Sequence, residues 1–142
     1  MISDSELKFI ELCKDGDLEE CKRFYAANPG INISAYKDYA FELACSHGHL
    51  NIAKWLLEIK PDINISVCNE YAFKWACSNG HLNIVKLLLE IKPGINISAC
   101  DNEAFKWAYG VGRLDVIKCL MHYIPYYIPY YISHVNRYYR QV

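Results

Sequence analysis

The chain repeats itself every 32 residues, and that period limits the fold more than any other feature. Gly16, Gly48, Gly80 and Gly112 keep the step, each followed two positions on by Leu18, Leu50, Leu82 and Leu114. Phe9, Phe41, Phe73 and Phe105 keep it too, as do Pro29, Pro61, Pro93 and Pro125. Between 39–66 and 71–98 only six of 28 aligned positions differ. Four units, about 4–34, 35–66, 67–98 and 99–130, make a repeat domain over 1–130, and 131–142 remain as a C-terminal tail. A unit of this length cannot enclose its own core, so units must stack and share one.

Within a unit the apolar spacing is helical. In the third, a first helix near 71–79 carries Ala72, Phe73, Trp75, Ala76 and Cys77 as a broad apolar face. Its small residues let neighbouring backbones approach closely. Gly80 then supplies a left-handed stop at no steric cost. A second helix over 82–91 is apolar at Leu82, Ile84, Val85, Leu87, Leu88, Leu89 and Ile91. That face is wider than a one-sided surface helix needs. Lys92 and Pro93 close it, and Ile95-Asn96-Ile97-Ser98 alternates as an extended connector would. Helices this short are marginal alone, so stacking must hold them. The expected fold is all-α, a helical solenoid of four helix-turn-helix units with short finger loops.

The seven cysteines follow the repeat. Cys13, Cys45 and Cys77 are 32 apart, as are Cys68 and Cys100, with Cys21 and Cys119 besides. An odd count without a C-x-x-C pair reads as small buried hydrophobes in a reducing compartment. Met1–Lys14 alternates charges where a leader would be basic and then apolar, which predicts an intracellular, cytoplasmic chain. A net charge of −1 offers no nucleic-acid footprint.

The run from Ala76 through Gly80-His81-Leu82 to Ile84-Val85 and Leu87-Leu88-Leu89, followed by Ile95-Asn96, resembles the ankyrin repeat. The resemblance covers about 4–130 and implies helix pairs with projecting fingers, used mainly to bind proteins. Tyr39-Ala40-Phe41-Glu42, Tyr71-Ala72-Phe73-Lys74 and Glu103-Ala104-Phe105-Lys106 stand where the family has Thr-Pro-Leu-His. The Lys-Pro-x-Ile-Asn-Ile-Ser connector resembles ankyrin proteins encoded in many copies by giant DNA viruses of amoebae. The first and last units read as caps, the first through Lys8, Glu19, Glu20, Lys22 and Arg23.

No chemistry is placed on this frame. Cys45, His47 and His49 form C-x-H-x-H without the second cluster a structural zinc would want. No nucleophile, base and orienting group come together in the pattern. No cofactor is expected, and the chain is read as a non-enzyme. Asn64, after Leu56 and Asp62, has a spacing similar to hydroxylated ankyrin asparagines, though a turn role accounts for it more simply. The Tyr/Pro-rich stretch 123–132 is too short and too proline-broken to span a membrane and is read as a cap on the fourth unit. Its alternative is a surface-adsorbed anchor for a membrane adaptor. A second alternative is end-to-end self-assembly.

The expected function is protein binding by a monomer, without nucleic acid, and for a viral chain acting on host proteins. Positions that vary between near-identical units mark the surface. The finger tips give Tyr36, Lys37 and Asp38, then Asn69 and Glu70, then Asp101 and Asn102. The first helices add Glu42, Lys74 and Lys106, with His47 and Asn79 at their ends.

Overall fold

A computed structural model of the chain describes residues 1–93, 95 and 99–123, apart from the side chains of 67–70 and 99–102. The expected tail, its capping stretch beyond Tyr123 and most of the third connector lie outside the described residues. Among the described residues eight helices follow in pairs: α1 (Asp4–Asp15) with α2 (Leu18–Ala27), α3 (Ala35–Ser46) with α4 (Leu50–Ile59), α5 (Val67–Asn79) with α6 (Leu82–Ile91), and α7 (Ala99–Gly110) with α8 (Leu114–Tyr123). No strand occurs among the described residues. The connectors at 31–34 and 63–66 are irregular and turn-like where alternation predicted extended chain. Asn32 and Asn64 explain this locally. Each side-chain Oδ1 accepts from the backbone N–H two residues on, at Ser34 and Ser66 (3.1 Å each), closing an Asx turn.

The first helices carry the stack. α3 lies between α1 and α5, and α5 between α3 and α7, with each second helix against its own first. Ala40, Ala44, Cys45, Ala72, Ala76, Cys77, Ala104 and Ala108 are buried at these contacts, which allows the close approach. Phe9, Phe41, Phe73 and Phe105 fill the layer beside them. From the second helices come Ile52, Leu56, Ile84, Val85, Leu88, Val116, Ile117 and Leu120, all buried. Ile91, read as part of the same wide apolar face, is exposed. Ser3 and Glu6 form a reciprocal capping box on α1, and backbone and hydroxyl donors at Ser3 hold the Glu6 carboxyl below its usual range.

The repeated glycine has two jobs. Gly16, Gly48 and Gly80 have φ of 95°, 80° and 79° at the end of each first helix, a backbone that costs other residues energy. The side chain at the start of the following unit's second helix lies across the same glycine. A Cβ on Gly16 would sit 2.5 Å from the ring of His49, and one on Gly48 2.5 Å from that of His81. At Gly80 the neighbour is Arg113, 2.8 Å away. These side chains also bridge units. His49 Nε2 donates to the Lys14 carbonyl (2.7 Å), His81 hydrogen-bonds the Ser46 backbone, and Arg113 Nε donates to the Ser78 carbonyl (3.1 Å). The Gly-His pair is therefore a joint between units, with arginine in the histidine's place at the last one.

Candidate functional site

The second finger is built on unusual backbone. Tyr36, Lys37 and Asp38 have φ of 58°, 60° and 61°, three successive left-handed residues without a glycine, at about 1–2 kcal/mol each. Regular helix resumes only at Tyr39. The turn is latched from within. Ser34 Oγ donates to Asp38 Oδ1, and the Asn64 backbone N–H of the next finger donates to Asp38 Oδ2 (3.1 Å). Asp38 is consequently buried, at 9% exposure, and is corrected here from tip contact to latch. Tyr36 is thrown outward to 72% exposure, its ring 6.3 Å from that of Tyr39, with Lys37 exposed beside it.

Behind the fingers, the first helices present a face with a helical step. In α5 it consists of Tyr71, Trp75 and Asn79, and in α7 of Glu103, Lys106 and Trp107. Trp75 is 41% exposed, a correction to its placement with the core residues. Ala72, Phe73, Ala76 and Cys77 already form the stripe that packs, and Trp75 falls one turn from Tyr71 on the adjoining face. The rings of Trp75 and Trp107 lie 5.4 Å apart. Tyr39 and Tyr71 are exposed along the same row. These aromatic side chains were missed as surface candidates. Their signal was present in the 32-residue register, which aligns Leu43 with Trp75 and Trp107, and Tyr39 with Tyr71.

Lys74 is a second correction. It is 4% exposed, with Nζ 2.6 Å from Glu103 Oε2 of the next unit and 5.7 Å from the Tyr71 ring centroid. Lys74 thereby links the third unit to the fourth. Glu42, its counterpart one unit earlier, is half-buried, and burial pushes its carboxyl up. Lys106 is exposed. His47 is exposed, and its Nδ1 donates to the Leu43 carbonyl (2.9 Å). Asn79 Nδ2 reaches back to the Ser46 carbonyl (2.8 Å). The side chains of Asn69, Glu70, Asp101 and Asn102 lie outside the described residues.

The remaining candidates stay apart. The His47 and His49 rings stack at 6.1 Å, and each has its own carbonyl partner. Among the described residues no three His, Cys, Asp or Glu side chains are grouped as a metal would require. Burial pushes the Cys45 and Cys77 thiols far up, so neither ionises readily. No helix among the described residues is long and apolar enough to cross a membrane.

Paired antiparallel helices stacked with a fixed glycine-linked joint define a helical-repeat solenoid. The family model described as ankyrin repeats (3 copies) matches residues 41–128, and that described as ankyrin repeats (many copies) matches 9–57. The chain belongs to the ankyrin repeat family. Among solved structures it is similar to an ankyrin repeat family protein from Legionella pneumophila, with 29% identity and a TM-score of 0.69. That alignment covers 83% of this chain and 36% of the Legionella chain, so this chain spans about a third of its relative's length. A comparison with curated proteins finds no match.

Proposed function

We propose that this chain is a non-enzymatic protein-binding module whose contact surface runs from the second finger along the first helices. The observation that carries the reading is the exposed aromatic row of Tyr36, Tyr39, Tyr71 and Trp75. Tyrosine and tryptophan are the side chains that most often anchor a protein interface. Here they stand on rigid helices or on a latched turn, so little side-chain freedom is lost on binding. Lys37, Lys106, His47 and Asn79 supply the polar rim, with Asn69, Glu70, Asp101 and Asn102 on the remaining tips. Lys74 and Asp38 act from beneath, holding that surface in place. The connector motif and tyrosine-rich units support a giant-virus origin, with a host protein as partner in the host cytoplasm and the chain acting as a monomer.

Affinity capture with the intact chain should be run beside two double variants, Tyr36→Ala/Trp75→Ala and Lys54→Glu/Lys86→Glu. A true partner is retained by the outer-helix variant and lost by the aromatic one. Against the purified partner, the aromatic variant should weaken Kd at least tenfold, about 1.4 kcal/mol, with its melting temperature nearly unchanged. Loss confined to the outer-helix variant would place binding on the second helices and overturn the reading.

A further inference from the structure

The first unit holds a feature found in no other among the described residues. Cys13 of α1 and Cys21 of α2 face each other with sulfurs 4.0 Å apart, and both are fully buried. It is the one thiol–thiol hydrogen bond among the described residues. The 32-residue register shows what this position normally does. The equivalent pairs are Cys45 with Ala53, Cys77 with Val85, and Tyr109 with Ile117. Cys45, Ala53, Cys77, Val85 and Ile117 lie buried in the shared core and Tyr109 packs against it, so the position is filled elsewhere without a second sulfur.

We propose that Cys13 and Cys21 form a reversible oxidation site, joined as a disulfide by a two-electron oxidant of the peroxide class. A disulfide needs sulfurs near 2.05 Å, so the pair must close by about 2 Å. Cys21 lies in α2, four residues after its N-cap Asp17, and the carboxylates of Asp17 and Glu20 and its own burial act against a thiolate there. The hydrogen bond between the thiols outweighs them, lowering Cys21 and raising Cys13. Cys21 is therefore the attacking sulfur. Its thiolate takes one peroxide oxygen, the O–O bond breaks, and the released hydroxide takes up the proton that Cys21 gave up, leaving a sulfenic acid and one water. Cys13 sulfur then attacks Cys21 sulfur, the S–O bond breaks, and the Cys13 proton leaves with the hydroxide as a second water. Two thiol hydrogens and one hydrogen peroxide give one disulfide and two waters.

Access follows from position in the stack. Among the described residues α1 packs on one neighbouring first helix, α3, where α3 and α5 each pack on two, and a unit held on one side opens more readily than one held on both. Cys45 and Cys77 lie on first helices with a neighbour on both sides, and among the described residues neither has a hydrogen-bonded sulfur. The product would staple α1 to α2 and remove that local opening.

The chain can be tested directly because trypsin cuts at Lys8, Lys14 and Lys22, which puts the two cysteines on separate peptides, 9–14 and 15–22. Native protein is treated with near-stoichiometric hydrogen peroxide, blocked with N-ethylmaleimide and digested. The expected result is the two peptides joined in most of the protein and separated again by dithiothreitol. Thermal unfolding of the oxidised chain should rise by several degrees. Cys21→Ala, which copies the residue at the matching position in the second unit, should keep the fold and lose both effects. Cys13→Ser serves in its place should that variant unfold. Peptides 9–14 and 15–22 staying alkylated while Cys119 oxidises would overturn the proposal. So would a 13–21 link that forms only in denaturant.

Discussion

The inter-helix loop and the second finger both demand left-handed backbone, and they meet the demand in opposite ways. At Gly16, Gly48 and Gly80 the residue without a Cβ stands where it is needed, and the space it leaves is taken by the next unit's histidine or arginine. At Tyr36, Lys37 and Asp38 the same region of backbone is held by side-chain-bearing residues, against a steric cost. The loop uses its freed volume for packing. The finger uses its side chains, one turned inward as a latch and two outward into solvent. Strain of this kind persists where the surrounding structure over-determines it and is concentrated at functional sites, which accords with a finger that presents Tyr36.

The largest effect should come from the loop. Gly48→Ala adds a methyl in left-handed backbone and drives it into the His81 ring, and should cost about 3 kcal/mol, combining the conformational penalty with overpacking. Gly112 has φ of 71° but nothing within 4 Å of its absent Cβ, so Gly112→Ala should cost only about 1 kcal/mol. Denaturant unfolding of the two variants separates the jobs. Equal losses would mean that the histidine contact contributes nothing.

The latch comes next. Asp38→Ala removes the acceptor for Ser34 Oγ and for the Asn64 N–H, leaving a donor of the 63–66 connector without its partner. A loss of about 2 kcal/mol is expected, with hydrogen exchange accelerated at both 34–38 and 62–66. Acceleration at the first segment alone would show that the fingers are not coupled. The joint at Gly48 should respond to pH as well. Burial pushes the His81 imidazole below its ordinary value near 6.5, and the charges of His47, His49 and Arg113 push the same way. The folded state then binds fewer protons than the unfolded chain. Its contribution is fully present above pH 6.5 and is lost as pH falls through the folded pKa. Unfolding midpoints should decline over that range, and His81→Gln should flatten the decline. A steeper decline in the variant would reverse the assignment.

Much of this architecture was legible because a stacked repeat states its packing rules several times over. The second helix over 82–91, the left-handed stop at Gly80 and the buried Ala and Cys positions all followed from spacing. The surface was less legible, for a physical reason. Variation between units marks positions that packing leaves free, but also positions where packing is solved differently. Lys74 is of the second kind, since its burial depends on Glu103, 29 residues away, which no local period signals. Asp38 is another, its role set by a backbone conformation that a non-glycine tripeptide does not advertise. Trp75 was hidden by the opposite bias, because an aromatic residue among core residues reads as core.

The smallest effect is the sharpest test of the finger. Lys37 is exposed, its φ is 60°, and its side chain has no part in the latch. Replacing it with glycine removes a left-handed penalty of about 1–2 kcal/mol and adds unfolded-chain entropy of about 0.5–1 kcal/mol. Lys37→Gly should therefore stabilise the chain by about 0.5 kcal/mol, an unusual sign for a substitution to glycine. At Lys54, which is exposed in the regular helix α4, the same change should cost about 1 kcal/mol. The contrast in sign cancels any error common to both measurements. If both variants lose stability equally, Lys37 is not left-handed in solution, and the finger loses its claim to a strained, latched presentation of Tyr36.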